Sequence, residues 1–581
     1  MNYLKHILRN HLGPILSLSF LIIFAATLHI FASPDPYAPG ETLDPTCLPG
    51  TPDCTVVTPT GWDLTGTSGT VDGTNFIGTI DNVPLNFRVN NVRAGRIDPT
   101  TRLTAFGYLS DAPSGIDNTA FGYSALAGGS SSASLNTAVG SYALSSLSNG
   151  SGNVSVGFKA LEKNTTGGNN TAVGLQSLQD NTTGGNNTAS GNNALRSNTT
   201  GGNNTANGVS ALQNNIIGSN NVALGYFAGQ VNTTDNNMFL GYEAGYNNTT
   251  GTPNTFIGYK SGYTNTTGIN NVFIGYNSGF SNTTGYSNIA NGVNALYFNT
   301  TGNYNIANGD ATLYSNTTGS YNTANGTEAL RSNTTGAQNT AIGYQAGYSN
   351  TIGTPNTFIG YQTGYNNIAG SNNAGVGAGA LYANTSGPAN TAVGVNALNH
   401  NTTGGDNVAV GYSALLQNIT GNYNAAFGGS ALQNNTSGRW NAAVGESALQ
   451  NNITGNFNTA IGIGAGTSNT AGDGNVFLGN SAGFYETGNY KLFIDNQSRT
   501  NEADGRASAL VYGVFDSTPA NQILIVNAKL NINNVLNLAP RASAPTGVAG
   551  DLYVDTTGNE LCFYDGAAWQ GISTGTDANC I

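Results

Sequence analysis

A 17-residue repeat fills the middle of this 581-residue chain and restricts what it can fold into. One unit runs from Asn170 to Asn186 and is anchored by Gly174. Equivalent glycines occur 23 times, and from Gly140 onward they are 17 residues apart, except for one spacing of 16. A unit this short cannot bury a core alone, whereas stacked units can. The repeat therefore predicts a parallel β-solenoid, or β-roll, of about 23 coils.

The composition supports an all-β chain. Glycine occurs 81 times, charged residues make up only 8% of the chain, and Asn, Thr and Ser are frequent in the repeats. Strong helix formers such as Glu, Lys and Met are scarce, which argues against a helical repeat. In each unit, Asn-Thr-Thr-Gly or a similar turn separates two short runs that we expect to form strands.

Two columns of asparagine recur at fixed positions, which we number from the anchoring glycine as position 0. Position −4 is Asn in every unit except the first, where Leu103 replaces it. Position +7 is Asn in all 19 units from Asn164 to Asn469. In a direct stack, such columns predict two ladders of hydrogen-bonded side-chain amides.

Positions −2 and +4 vary together in a way that predicts the core. Position −2 is mostly Ala and position +4 mostly Leu, but five units carry Phe at −2. Each of these units has Gly at +4, and so does the unit before it. The phenylalanines are Phe239, Phe256, Phe273, Phe358 and Phe477, and the glycines are Gly229, Gly245, Gly262, Gly279, Gly347, Gly364, Gly466 and Gly483. A ring appears where two leucines are missing, so we expect −2 and +4 to meet inside a close-packed coil.

Strand alternation places positions −3 and −1 on the opposite, outer face. Position −1 is Val, Ile, Leu or Phe in 18 of the 23 units. Such a long apolar stripe favours burial against another copy of the chain. The five exceptions are Ser190, Asn207, Asn291, Asn308 and Asn325, and they would form polar layers that fix register. The alternative is a bulge at the glycine that turns position −1 inward and leaves a monomer.

The N-terminus has the pattern of an export signal. Lys5 and Arg9 precede an apolar stretch over residues 14–32. The segment is either cleaved near Ala32 or Ser33, or kept as a membrane anchor, since its length is close to the roughly 20 residues that span a bilayer. Either outcome places the remaining chain outside the cytoplasm, in the extracellular space or at the cell surface.

The four cysteines lie in two close pairs, Cys47 with Cys54 and Cys562 with Cys580. In an exported protein this spacing predicts two small structural disulfides, the alternative being four free thiols. The chain is expected to divide into a signal or anchor (1–33), an N-terminal β module (34–100), the β-roll rod (101–485), a β-rich transition segment (486–538) and a C-terminal β-hairpin module (539–581).

The segments Asn170-Thr-Ala-Val-Gly174 and Gly241-Tyr-Glu-Ala-Gly245 resemble the head repeats of trimeric autotransporter adhesins, the YadA-like β-roll. They are also similar to Asn-Thr-Ala-Ile-Gly repeats of tail-fibre-like and adhesin-like bacterial proteins. The resemblance covers residues 100–485 and implies a homotrimer of parallel β-rolls. The adhesin unit is shorter than 17 residues, so the resemblance does not determine the coil geometry or the handedness of this chain. The strand-like segments 491–496 and 550–569 are similar to modules found near the ends of such fibres.

The sequence offers no catalytic pattern. Its acidic residues are scattered through the rod, and His400 is the only histidine beyond residue 30. We therefore expect no enzyme, no metal and no cofactor. A net charge of −12 without a basic patch disfavours nucleic acid as a partner. The sequence predicts an exported structural fibre or stalk for cell-surface adhesion, with a possible extracellular receptor, glycan or surface as partner and membrane contact only through the N-terminal segment.

A second functional interpretation is a solenoid that binds ice or a glycan surface. Its basis is the paired threonines in each turn, such as Thr182 and Thr183, and the tyrosines at +1, such as Tyr226 and Tyr242. The threonines are predicted to lie in turns, whereas a lattice-matching surface requires a flat strand face.

Overall fold

The computed structural model describes residues 81–110, 115–128, 132–531, 552–555, 560–565 and 567–572. The predicted signal segment and Cys47, Cys54 and Cys580 lie outside these residues. Within them the predicted fold is confirmed, because 24 short strands pair side by side, in parallel and in chain order. Each strand belongs to one coil, and the coils repeat about every 17 residues.

The strands of this parallel stack share a length of three or four residues. They are Leu103–Phe106, Thr119–Phe121, Thr137–Val139, Val154–Val156, Thr171–Val173, Thr188–Ser190, Thr205–Asn207, Val222–Leu224, Met238–Leu240, Asn254–Ile257, Asn271–Ile274, Ile289–Asn291, Ile306–Asn308, Thr323–Asn325, Thr340–Ile342, Asn356–Ile359, Asn373–Val376, Thr391–Val393, Val408–Val410, Ala425–Phe427, Ala442–Val444, Thr459–Ile461, Val476–Leu478 and Lys491–Ile494.

Only one strand forms per coil, although the sequence predicted two. The reason lies in the backbone after the anchoring glycine. Gly174 has φ 137°, and Gln176 and Leu178, at +2 and +4, have φ 55° and 49°. Left-handed residues at alternate positions are incompatible with an extended strand. Coils still bond to their neighbours here, as the N–H of Leu178 donates to the carbonyl of Ala194 at 2.9 Å.

Antiparallel strands close both ends of the stack. At the N-terminal end, Leu85–Val89 pairs with Val92–Asp98, which pairs with the first coil. At the C-terminal end, Val511–Val514 pairs with Lys491–Ile494, and Ile523–Val526 pairs with Val511–Val514. Between them lie the helix Glu502–Ser508 and the 3-10 turn Pro519–Asn521. A separate antiparallel sheet contains Leu552–Asp555, Glu560–Tyr564 and Trp569–Ile572.

The core has the predicted composition. Alanines at −2, leucines at +4 and all five phenylalanines are fully buried. Phe239, Phe256 and Phe273 lie opposite one another in successive strands. A Cβ atom added to Gly262 would stand 2.6 Å from Cδ2 of Phe256, closer than real side chains approach. The glycines at +4 therefore make room for the rings, as the covariation predicted.

Both asparagine columns form ladders inside the coils. At −4, the backbone N–H of Asn187 donates to Oδ1 of Asn170 at 2.9 Å, and its Nδ2 donates to the carbonyl of Gly201 at 2.9 Å. At +7, Nδ2 of Asn181 donates to Oδ1 of Asn164 at 2.7 Å and to the carbonyl of Gly184 at 2.9 Å. Because both columns are buried, each of these bonds is expensive to lose.

Candidate interaction surface

Position −1 lies on the outer face of the coils. Val173 is 41% exposed, Ile342 39% and Val444 42%, although each adjoins a buried residue at −2. The alternative prediction, that a bulge at the glycine turns this position inward, is wrong. The unusual φ of the glycine does not change the face on which position −1 lies. The three strand residues before the glycine alternate regularly between the outer and the inner face.

Positions −3 and −1 together form what we call the outer ribbon, which runs along every coil. The ribbon contains no charged residue at either position in any of the 23 units. Thr, Val, Ile and Ala occupy most −3 positions, and the larger aliphatic residues occupy most −1 positions. A solvent-exposed strip with this composition and length is unusual for a protein that stays alone in water.

Two groups of polar residues interrupt the ribbon at position −1. One consists of Ser190 and Asn207 and the other of Asn291, Asn308 and Asn325. In the second group, Nδ2 of Asn291 donates to Oδ1 of Asn308 at 3.3 Å, and Nδ2 of Asn308 donates to Oδ1 of Asn325 at 3.2 Å. These amides are exposed, in contrast to the buried ladders at −4 and +7.

Tyrosines at +1 in successive coils stack on one another along the rod. Ring centroids lie 5.2 Å apart for Tyr226 and Tyr242, 5.1 Å for Tyr242 and Tyr259, and 5.0 Å for Tyr259 and Tyr276, with planes within 10° of parallel. Each inner ring therefore covers the faces of its neighbours and presents its edge to solvent. Sugar rings pack on aromatic faces, so this arrangement offers a glycan little of the surface it would use.

The paired threonines of the turns differ in their surroundings. Oγ1 of Thr182, at +8, donates to the carbonyl of Thr199 at 3.0 Å, and Thr182 is half-buried. Thr183, at +9, is exposed. In such a pair, the hydroxyl at +8 therefore bonds to the neighbouring coil, and the threonines at +9 form a single exposed column.

A buried ion pair at the C-terminal end of the rod was missed by the sequence interpretation. Glu486 lies seven residues after Gly479, so it occupies the position that Asn holds in the preceding 19 coils. Its side chain is 1% exposed and is bound by Arg506 of the helix, whose Nε and Nη2 lie 2.8 Å and 2.6 Å from its oxygens. The position of Glu486, 17 residues after Asn469, was the feature of the sequence that could have identified it.

The charge at Glu486 ends the +7 ladder. Oδ1 of Asn469 is buried and accepts no hydrogen bond from any described residue, since a carboxylate one coil further on has no N–H to donate. Burial raises the pKa of Glu486, but hydrogen bonds from Arg506 and from the N–H of Gly488 more than offset this and hold the pKa below its usual value. The carboxylate is therefore ionised and anchors the helix over the last coil.

The described part of the chain holds no cluster of three or more His, Cys, Asp and Glu that could bind a metal. His400 is exposed in a turn, with Nδ1 3.2 Å from the carbonyl of Leu416. Cys562 is buried and disulfide-bonded. Its partner lies outside the described residues, so the pairings Cys47–Cys54 and Cys562–Cys580 stay predictions. Among the same residues, no helix is long and apolar enough to cross a membrane.

Comparison with known proteins identifies no relative. No protein-family model matches the chain, and no match was found among curated proteins or among solved structures.

Proposed function

We propose that this protein is a non-catalytic, exported structural fibre or stalk at the cell surface, and that it self-associates through the outer ribbon. The observation that carries this proposal is the ribbon itself, exposed at position −1 and without charge throughout the coils. Burying an apolar surface of this length is a large driving force for association.

A second copy of the chain is the partner that fits this surface best. A partner that covers the whole ribbon must present matching groups at the spacing of the coils, about 4.8 Å. Another copy has the same coil spacing and the same uncharged side chains, whereas a globular protein could cover only a few coils. The resemblance to adhesin head repeats supports three copies, so we propose a homotrimer.

Light scattering combined with size-exclusion chromatography tests this proposal on the full chain. A homotrimer has three times the chain mass of 59.4 kDa. A monomer at micromolar concentration would contradict self-association, and a stable dimer would correct the number of copies. Fractionation of the native cells tests the location, since a cytoplasmic protein would contradict export.

The exposed threonine column at +9 supports a second candidate, binding to ice or to another regular surface. Thr166, Thr183 and Thr200 lie in successive coils and are all exposed. The test is thermal hysteresis of the purified protein, with Thr183→Lys as a variant that disrupts the column. Absence of hysteresis would discard ice binding and leave the structural proposal intact.

A further inference from the structure

We infer that the copies of this chain associate in parallel and in register, and that the five polar residues of the outer ribbon set this alignment. The inference rests on the proposed self-association and specifies its geometry. It starts from the contrast between Asn291, Asn308 and Asn325 and their neighbours in the same column, Ile274 and Ile342, which are 37% and 39% exposed.

A polar side chain in such an interface needs a polar partner on the other copy. An amide buried against aliphatic groups loses its hydrogen bonds to water, at about 1–3 kcal/mol for each unsatisfied group. The exposed column of Asn291, Asn308 and Asn325 can donate further hydrogen bonds across an interface. Each amide has two N–H groups, and its contacts along the column use one of them in Asn291 and Asn308.

In a parallel, in-register assembly every coil meets its own equivalent. Ser190 and Asn207 then lie at the level of the same residues in the other copies. The same holds for Asn291, Asn308 and Asn325. Each polar group has polar partners at its own height along the rod, and each aliphatic group has aliphatic partners. No polar residue at position −1 is left against a hydrocarbon surface.

An antiparallel arrangement loses this match. If two rods pair about the central coil, that of Gly292, only Asn291 meets its equivalent. The remaining polar residues then face aliphatic ones: Ser190 faces Val393, Asn207 faces Val376, Asn308 faces Ile274 and Asn325 faces Ile257. With the rods fully overlapped, four polar layers in each copy would be mismatched. Shifting the antiparallel rods so that Asn325 faces Ser190 and Asn308 faces Asn207 still places Asn291 against Leu224 and leaves the last four coils of each rod unpaired. The parallel, in-register arrangement matches all five polar residues over the full length of the ribbon.

A parallel arrangement that slips by one coil is also penalised. It places Asn207 against Leu224 and Asn325 against Ile342. At the other edge of each polar group, Val173 meets Ser190 and Ile274 meets Asn291. Without the polar groups, a repeat of nearly identical coils would pair almost equally well in many registers. The five polar residues therefore set the register between the copies.

Disulfide cross-linking in the full chain tests the alignment, because a disulfide requires Cβ atoms within about 4.5 Å. The two sites are Val376→Cys and Val393→Cys, which are one coil apart in the ribbon. Chains with different affinity tags are co-expressed, oxidised, and analysed by mass spectrometry of the linked peptides. We expect 376–376 and 393–393 links, and we expect the mixed 376–393 link to be at least about tenfold less abundant than either.

A background in which all five polar residues are replaced by valine provides the comparison. There the mixed link should rise to a level similar to that of the same-site links, while the oligomer persists. An oligomer without same-site links would overturn the parallel orientation, and equal mixed and same-site links in the native background would overturn the register. A monomer in light scattering would instead refute the proposed self-association, and this inference with it.

Discussion

A Cβ atom at Gly364 would lie 2.5 Å from Cδ1 of Phe358, so the ring occupies the space that a leucine fills in most other coils. In the coil of Gly394, the same two positions hold Ala392 and Leu398, both fully buried. The two pairs are alternative ways to fill one interior at similar density.

We expect Gly364→Leu to destabilise the rod by about 3 kcal/mol, because the added side chain overlaps the Phe358 ring. The left-handed backbone at this position is not the obstacle, since Leu398 adopts φ 52°. The measurement is thermal and denaturant unfolding of the full chain. Phe358→Ala/Gly347→Leu/Gly364→Leu restores the common Ala and both leucines beside it, and should recover more than half of the loss. Additive losses in the triple variant would contradict the packing argument.

Asn181 is the clearest test of the buried ladder at +7. Asn181→Leu removes its bonds to Asn164 and Gly184 and takes away one of the two acceptors of the Asn198 Nδ2 group. We expect a loss of about 2–4 kcal/mol, measured by unfolding and by hydrogen exchange of the adjacent coils. The control is Asn192→Ala, an exposed amide in the next coil without a left-handed backbone, which should change stability by less than about 0.5 kcal/mol. Equal effects would show that burial of the ladder is unimportant.

The ion pair of Glu486 and Arg506 predicts a pH dependence at the C-terminal end of the rod. The pKa of Glu486 is lower in the fold than its ordinary value of 4.5, so its contribution is complete above that pH and is lost as the pH falls further. We expect hydrogen-exchange protection of the helix Glu502–Ser508 to hold down to about pH 4.5 and to fall below it. Glu486→Gln should weaken protection at neutral pH and flatten this dependence; an unchanged pH profile would contradict the assignment.

A charge in the outer ribbon should separate the copies. Val444→Asp places a carboxylate at position −1, where it would be desolvated on association. We expect the molar mass from light scattering to fall toward that of a single chain, with the β-sheet circular dichroism unchanged. Thr183→Asp adds the same charge at an exposed turn position and should leave the oligomer intact. Equal masses for the two variants would place the interface elsewhere.

The interior of the rod was predictable because each core position recurs in many repeats of the sequence. The Phe and Gly covariation correctly placed −2 against +4, and the Asn columns correctly predicted two ladders. The second strand of each coil was predicted wrongly, because Leu178 and its equivalents take a left-handed conformation that side-chain preference does not reveal. Glu486 was missed because it replaces an Asn only once, and its partner Arg506 lies 20 residues further along the chain.

The direction of the hydrogen bonds between coils also determines how the rod carries a load. The strands lie across the rod, so the bonds that join one coil to the next point along its length. A force that pulls on the two ends acts on these bonds in series and opens one coil at a time, starting at an end. Each coil releases 17 residues, or roughly 50 Å of extended chain. A stalk built this way lengthens in steps under tension and dissipates energy before it fails.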